Sequence, residues 1–286
     1  MLRKLLRYDL DAVWRIWVPL AASVPVMSLI TALLVRTLLE RPENDDSAVV
    51  VLGFMMFFAI MTLVILWVGL FIVTPIICYL HYYKHFFSDR GYLTFTLPVP
   101  RQKLYLSKVL SAFIWSAGNA VVTVLSACIL LLLIPTSQEV AQFVNPIVFD
   151  FIGEGVGFLW QNVGAWLILY ALELLLILVA LSLCNIGLFH LAITMGSVIA
   201  KKHKVLCAVG LYLGMNYGIS FVSQFFMLFS ASPLASFTLM LSKLSLQQQC
   251  ASVAITGMIV VLFLATVAAI YHFVALHLIE RKLNLA

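Results

Sequence analysis

Six long stretches with almost no charged side chain constrain the fold of this chain more than any other feature of its sequence. Five of them contain no Asp, Glu, Lys or Arg: Ile16–Val35, Ser47–Tyr83, Val109–Gln138, Val205–Ser242 and Leu244–Ile279. The sixth, Gly155–Ala200, contains one charged residue, Glu173. Each stretch reaches the roughly 20 apolar residues that a helix needs to cross about 30 Å of hydrocarbon. The sequence therefore predicts an all-α, polytopic membrane protein with six transmembrane helices.

Composition excludes the main alternative, a soluble globular domain. Hydrophobic residues make up 64% of the chain, charged residues make up 10%, and the mean hydropathy is +1.10. So little polar material cannot cover a globular surface. We expect a single transmembrane domain over residues 1–286, with spans near residues 16–38, 49–80, 104–134, 163–199, 205–229 and 251–276.

The distribution of Lys and Arg predicts the orientation of the chain. If the N-terminus lies inside the cell, most of the 17 Lys and Arg residues fall in inner segments, and most acidic residues fall in outer segments. Cytoplasmic loops carry such an excess of positive charge, so both termini are expected in the cytoplasm. The net charge of +5 then suits the anionic lipid of the inner leaflet, and no nucleic-acid partner is expected.

The first 15 residues predict an amphipathic helix ahead of the first span. Apolar residues from Leu2 to Trp17 recur at helical spacing, and basic residues fall on the opposite side. The pattern favours an elbow helix that lies along the inner leaflet. A simpler alternative is a basic anchor that places Trp14 and Trp17 in the aromatic belt of the membrane. Pro19 and Pro25 are expected to bend the span that follows.

The longest charged interruption of the chain is the segment His81–Lys108, which we call the platform. It contains five Lys and Arg residues and a single acid, Asp89, so we expect it to be cytoplasmic. After Gly91, apolar residues alternate with more polar ones, which predicts an extended segment with one apolar face. That face consists of Leu93, Phe95 and Leu97.

A series of short motifs runs through the platform: Asp89, Arg90, Gly91, Tyr92, Leu93 and Thr94, then Leu97, Pro98 and Val99, then Leu106, Ser107 and Lys108. This series resembles the cytoplasmic loop of type-2 ABC exporter permeases, the membrane-spanning subunits of ATP-driven exporters. The resemblance implies six helices, an N-terminal elbow helix and a coupling helix in this loop. It also implies that residues 89–95, Leu97 and Pro98 dock on a separate ATPase subunit.

The resemblance further implies partners outside the chain: an ABC ATPase that binds ATP and Mg, a second permease chain, identical or paralogous, and the lipid bilayer. The sequence has no GxxxxGK[ST] motif, so we do not expect the chain to be an enzyme that hydrolyses ATP itself. We expect no cofactor or metal on the chain. His81 and His85 form an HxxxH pair, but a metal-dependent enzyme built on this pair would need further ligands. The expected location is the cytoplasmic membrane of a bacterium.

The alternative function is a stand-alone secondary transporter or a non-transporting membrane scaffold. Secondary transporters commonly have ionisable residues or broken helices near the midplane, in repeated halves of the chain. This sequence has one intramembrane carboxylate, Glu173, and no convincing internal repeat. Those features favour the exporter.

Polar residues inside two spans have two interpretations each. Glu173 either takes part in transport or has a structural role through snorkelling or a hydrogen bond. The helical face that continues from it predicts a close contact with another helix. Ser116, Asn119, Thr123 and Ser126 share one face of the third span, which predicts either part of a translocation path or hydrogen bonds between helices.

The fifth span contains a pattern of small residues. Gly210, Gly214 and Gly218 form a ridge that predicts close contact with another helix, either of the same chain or of a second chain. Pro233 predicts a turn in the long apolar run that follows. We expect a short re-entrant or interfacial element from the residue after Pro233 up to Leu246.

Overall fold

The computed structural model describes residues 2–39, 46–88, 90–96, 98–133, 157, 160–161, 163–200, 202–241 and 245–282. Their continuous helices are α1 (Leu2–Leu39), α2 (Asp46–Phe86), α3 (Arg90–Phe95), α4 (Arg101–Leu133), α5 (Trp166–Ile199), α6 (Lys204–Leu241) and α7 (Leu246–Lys282). The described residues contain no strand. Every one of these helices except α3 contains a segment long and apolar enough to cross a membrane. The prediction of an all-α protein with six transmembrane helices is therefore confirmed.

The N-terminal segment is helical, as predicted, but it is not a separate elbow. α1 continues from Leu2 through the first span as one helix of 38 residues, and neither Pro19 nor Pro25 ends it. A break would leave backbone N–H groups unpaired in hydrocarbon, where no water can replace the lost hydrogen bonds. The ring of Trp17 packs on the ring of Trp115, with centroids 4.7 Å apart. A place for Trp14 and Trp17 in the aromatic belt stays a prediction.

Pro233 does not produce the predicted turn. α6 continues through this proline to Leu241, so over residues 234–241 the chain does not form the separate element, re-entrant or interfacial, that was expected after the turn. The residues on both sides of the proline are apolar, and a turn among them would leave backbone groups without hydrogen bonds in an apolar environment, so a continuous helix is favoured. Pro75 likewise lies inside α2.

α2 is longer than one bilayer crossing. It has 41 residues. At about 1.5 Å per residue this is about 60 Å of helix, roughly twice the thickness of the hydrocarbon core. The helix ends at Phe86, inside the platform.

Contacts divide the chain into two compact units. The first comprises Met1–Cys78 and Leu110–Leu159, and the second comprises Tyr79–Val109 and Trp160–Ala286. The core of the first unit forms where α1 meets α2, at Ala21, Val24, Leu63 and Leu70. In the second unit, α5 packs against both α6 and α7. The platform, and with it the candidate site, belongs mainly to the second unit.

Candidate partner-docking site

The platform contains α3, a short helix between the end of α2 and the start of α4. The prediction of an extended segment is wrong, because residues 90–95 are helical. An isolated strand would leave its backbone groups without partners, whereas a helical turn pairs them locally. The turn that leads into α3 is closed by the Gly91 amide, which donates to the Ser88 carbonyl at 2.7 Å.

Gly91 determines how closely α3 approaches α2. A Cβ atom on Gly91 would lie 2.7 Å from the carbonyl oxygen of Phe86 and 3.0 Å from its carbonyl carbon. Both are main-chain atoms at the end of a helix and cannot rotate aside as a flexible side chain would. Any other residue at this position would therefore push α3 away from α2.

The predicted apolar face of this segment is divided by the helical turn. Leu93 is 67% exposed. Phe95 is half-buried and meets Phe86 edge to face, with ring centroids 5.5 Å apart. Leu93 is therefore available to a partner, whereas Phe95 holds α3 on the end of α2.

The other predicted docking residues are described to different extents. Thr94 is half-buried and Pro98 is exposed. Outside the described residues lie Asp89 and Leu97, together with the side chains of Arg90 and Tyr92. Among the described residues that are predicted to dock on an ATPase, Leu93 and Pro98 are the exposed ones.

Arg101 lies at the first position of α4, opposite Phe95. Its guanidinium carbon is 5.2 Å from the centroid of the Phe95 ring. One guanidinium nitrogen, Nη1, donates to the Ile279 carbonyl at 3.1 Å and to the Glu280 carbonyl at 2.9 Å. The side chain thus contacts both α3 and the end of α7. The sequence identified Arg101 only as one of the basic residues of the platform.

A largely buried cluster of tyrosine, histidine and threonine side chains joins the parts of four helices that lie in the second unit. Its members are Tyr82 of α2, Tyr105 of α4, His190 and Thr194 of α5, and His272 of α7. The Thr194 hydroxyl donates its proton to the His190 carbonyl, so the Tyr82 hydroxyl donates to Thr194, at 2.8 Å. The Tyr105 hydroxyl and His272 Nδ1 are hydrogen-bonded at 2.7 Å. These residues have no common spacing in the sequence, so sequence reasoning missed the cluster.

The HxxxH pair of the platform is engaged with a lysine. The Lys108 ammonium, which can only donate, lies 3.0 Å from His81 Nε2, so this nitrogen accepts a hydrogen bond. The rings of His81 and His85 lie 4.3 Å apart. Over the described part of the chain, no three His, Cys, Asp or Glu side chains are grouped so that they could hold a metal ion.

Glu173 is buried between α5 and α7. Its 5% exposure disagrees with the snorkelling alternative, which requires a carboxylate that reaches water. A Cβ atom on Gly257 of α7 would lie 3.1 Å from the Glu173 carboxyl carbon and closer still to one carboxylate oxygen. The carboxylate therefore occupies the space that the missing side chain of Gly257 leaves.

The same face of α5 continues in close contact with α7, as the sequence predicts. The Cys184 thiol donates to the Leu264 carbonyl at 3.1 Å. Further along, a Cβ atom on Gly187 would lie 3.0 Å from the Cβ atom of Tyr271. Little space remains between the two helices at these levels.

Asn119 joins α1, α2 and α4 in the first unit. Its side-chain oxygen accepts hydrogen bonds from Trp17 Nε1 at 2.8 Å and from the Thr74 hydroxyl at 3.2 Å. Its amide nitrogen donates to the Leu70 carbonyl at 3.3 Å. These contacts agree with the interpretation of Asn119 as a residue that holds helices together.

The other residues on this polar face differ in their partners. Ser126 accepts a hydrogen bond from Trp67 Nε1 at 3.1 Å. Thr123 donates within α4 to the Asn119 carbonyl at 2.9 Å, and Ser116 is half-buried. A translocation path along this face stays a prediction.

The glycine ridge of α6 is exposed. A Cβ atom on Gly210, Gly214 or Gly218 would meet no atom within 4 Å among the residues that the structure describes. The predicted contact within one chain is therefore absent from that part of the protein. Contact with a second chain stays a prediction.

Comparisons of the chain with protein-family models, with curated proteins and with solved structures found no match.

Proposed function

We propose that this chain is the membrane-spanning permease subunit of an ATP-driven ABC exporter, which moves a substrate across or out of the membrane. A separate ATPase subunit binds ATP and Mg, and a second permease chain completes the exporter. The chain resides in the cytoplasmic membrane of a bacterium, with the platform and both termini in the cytoplasm.

The observation that carries this proposal is the exposed Leu93 on α3. A helix of six residues is not stable in isolation, so α3 depends on its contacts with Phe86 and Arg101. Those contacts use Phe95 and leave Leu93 67% exposed in a basic segment. An apolar anchor held on a well-supported element is a common feature of partner-binding sites.

The place of α3 in the chain supports the same function. The resemblance to type-2 permeases implies a coupling helix in this loop, and α3 is a helix in this loop. The sequence has no GxxxxGK[ST] motif, so ATP-driven transport requires a separate ATPase. Because α3 lies between the C-terminal end of α2 and the N-terminal end of α4, a partner that displaces α3 acts on two long helices at once.

The second permease chain is proposed to contact the ridge of Gly210, Gly214 and Gly218. Small residues let two helices approach closely in a membrane, where van der Waals packing drives helix association. The exposure of the ridge leaves room for such an approach.

Co-purification of an ATPase tests the proposal. Leu93→Asp places a charge on the docking side of α3, and the control Leu93→Met keeps an apolar side chain of similar volume. Because Leu93 is exposed, neither change removes a buried contact from the chain itself. Phe95 does not suit this test, since its replacement would also detach α3 from Phe86.

We expect the native chain and Leu93→Met to retain an ATPase with a P-loop through purification in detergent, and Leu93→Asp to lose it. Two results contradict the proposal. One is a native chain that retains no such ATPase, and the other is a Leu93→Asp chain that retains as much of it as the native chain.

A further inference from the structure

Arg101 makes a set of contacts that the docking proposal does not use. Its Nη1 atom donates to the carbonyls of Ile279 and Glu280, at 3.1 and 2.9 Å, and its guanidinium lies over the ring of Phe95 at 5.2 Å. The first two contacts are with α7 and the third is with α3. One side chain, rooted in α4, therefore joins the short helix to the last long helix.

The contact with α7 has a clear physical basis. The last four carbonyls of a helix have no partner inside the helix. Ile279 and Glu280 lie in the last turn of α7 that the structure describes, which runs up to Lys282. A cation at a helix C-terminus also interacts favourably with the helix dipole. Arg101 supplies both the hydrogen bonds and the positive charge.

The contact with α3 depends on the shape of the guanidinium. A planar, delocalised cation lies well on the face of an aromatic ring. The Phe95 ring also meets Phe86 edge to face, at a centroid distance of 5.5 Å. α3 is thus held by α2 through Phe86 and by α7 through Arg101.

α7 is able to pass movement onward because it packs against α5 with little free space. A Cβ atom on Gly187 of α5 would lie 3.0 Å from the Cβ atom of Tyr271. At another level, the carboxylate of Glu173 fills the space above Gly257. The side chains at these contacts have little freedom to move, so they do not absorb a displacement of α7.

We propose that Arg101 is a positioning residue that fastens α3 to the end of α7, so that a displacement of α3 is passed to α7 and from α7 to α5. The contact between α3 and α7 through Arg101 does not require an ATPase. The role of this contact in transmitting ATP-driven motion rests on the proposed function.

Distance measurements between spin labels test the fastening without an ATPase. Labels at Thr96 and Arg281, both exposed, report the separation of the end of α3 from the end of α7 in a chain whose five native cysteines are replaced. Arg101→Gln removes the charge and the flat cation, and Arg101→Lys keeps the charge. Lys103→Gln is the control, because it removes the same charge from an exposed side chain two residues further on.

We expect a narrow distance distribution in the native chain and in Lys103→Gln. In Arg101→Gln the population with α3 released from α7 should rise about fivefold, because Arg101 is exposed and solvent screening weakens the hydrogen bonds that its charge strengthens. Arg101→Lys should restore part of the native distribution. An Arg101→Gln chain with the native distribution overturns the proposal.

Measurements with the ATPase test transmission separately from docking. Arg101→Gln should still co-purify with the ATPase, since Leu93 is unchanged, but its substrate-stimulated ATP hydrolysis should fall about fivefold, in step with the release of α3. If the spin labels show that α3 is released from α7 in Arg101→Gln, but substrate still stimulates ATP hydrolysis as strongly as in the native chain, Arg101 has no role in transmission. A native chain that binds no ATPase would instead contradict the proposed function, and the spin-label result would still decide whether Arg101 fastens α3.

Discussion

From the contact between Glu173 and Gly257 we predict how much a small substitution at Gly257 lowers the free energy of unfolding. In Gly257→Ala the new methyl group would lie 3.1 Å from the Glu173 carboxyl carbon and nearer still to one oxygen. Glu173 is 5% exposed, so its side chain has little room to move aside. Overfilling a packed site typically costs about 1–3 kcal/mol, and we expect the free energy of unfolding of Gly257→Ala to fall by this amount.

A double-mutant cycle separates this contact from other effects of the substitution. Glu173→Ala removes the carboxylate, so Gly257→Ala should cost almost nothing in that background, and the coupling energy of the cycle should be about 1–3 kcal/mol. Glu173→Gln keeps the shape and removes the charge, so the cost of Gly257→Ala should persist. Gly210→Ala is the matched control, because its methyl group meets no described atom within 4 Å.

Unfolding by SDS in mixed micelles, followed by circular dichroism, gives the four free energies of the cycle. The packing argument is refuted if Gly257→Ala is no less stable than Gly210→Ala. It is also refuted if the cost of Gly257→Ala is unchanged by Glu173→Ala.

In transport assays, Glu173→Gln should retain activity in proportion to the amount of folded protein, and a well-folded but inactive Glu173→Gln chain would assign the carboxylate a mechanistic role.

Three further predictions concern other parts of the chain. Asn119→Ala should lower the free energy of unfolding by about 1–3 kcal/mol, because it leaves buried donors and acceptors unpaired, and a loss equal to that of Ser116→Ala would contradict this. Gly214→Leu should weaken association of two chains, measured by cross-linking, without lowering the stability of one chain, and unchanged association would show that the ridge faces lipid. Arg90→Cys should react with an impermeant maleimide only after the membrane is opened, whereas Lys243→Cys should react in intact cells, and the reverse pattern would overturn the topology.

The sequence was sufficient to predict the six spans, because the hydrocarbon thickness sets a minimum length that can be read along the chain. The helical face that begins at Glu173 was predictable in the same way, since residues three and four apart lie on one side of a helix. Its packing partner was not, because Gly257 lies 84 positions away on another helix and has no distinctive neighbours in the sequence.

Local sequence patterns gave the wrong secondary structure at two places where the surroundings of the segment decide between two structures. The alternation after Gly91 is equally compatible with a six-residue helix that points Leu93 outward and Phe95 inward. Pro233 is a strong turn signal in water, but in an apolar run the cost of unpaired backbone groups favours helix. A single sequence does not contain the environment that makes these choices.

Hydrogen bonds between distant residues were the part of the structure least accessible from the sequence. Trp17 and Asn119 are 102 positions apart, and Arg101 is 178 positions from Ile279. The sequence shows these polar residues within or beside apolar runs. It does not show their hydrogen-bond partners, because these depend on how the helices pack. The buried cluster around Tyr82, Tyr105 and His190 depends on the same information.

A photo-cross-linker at Leu93 tests the central claim most directly. Leu93 is replaced in living cells by a benzophenone amino acid, which reacts with whatever lies within a few ångströms, and Ile114, 40% exposed in the middle of α4, carries the same group as a control. We expect a covalent adduct at Leu93 with an ATPase that contains a P-loop, and no such adduct at Ile114. Adducts at Leu93 with lipid alone, or with proteins other than an ATPase, would contradict the claim that α3 is the docking site of an ABC ATPase.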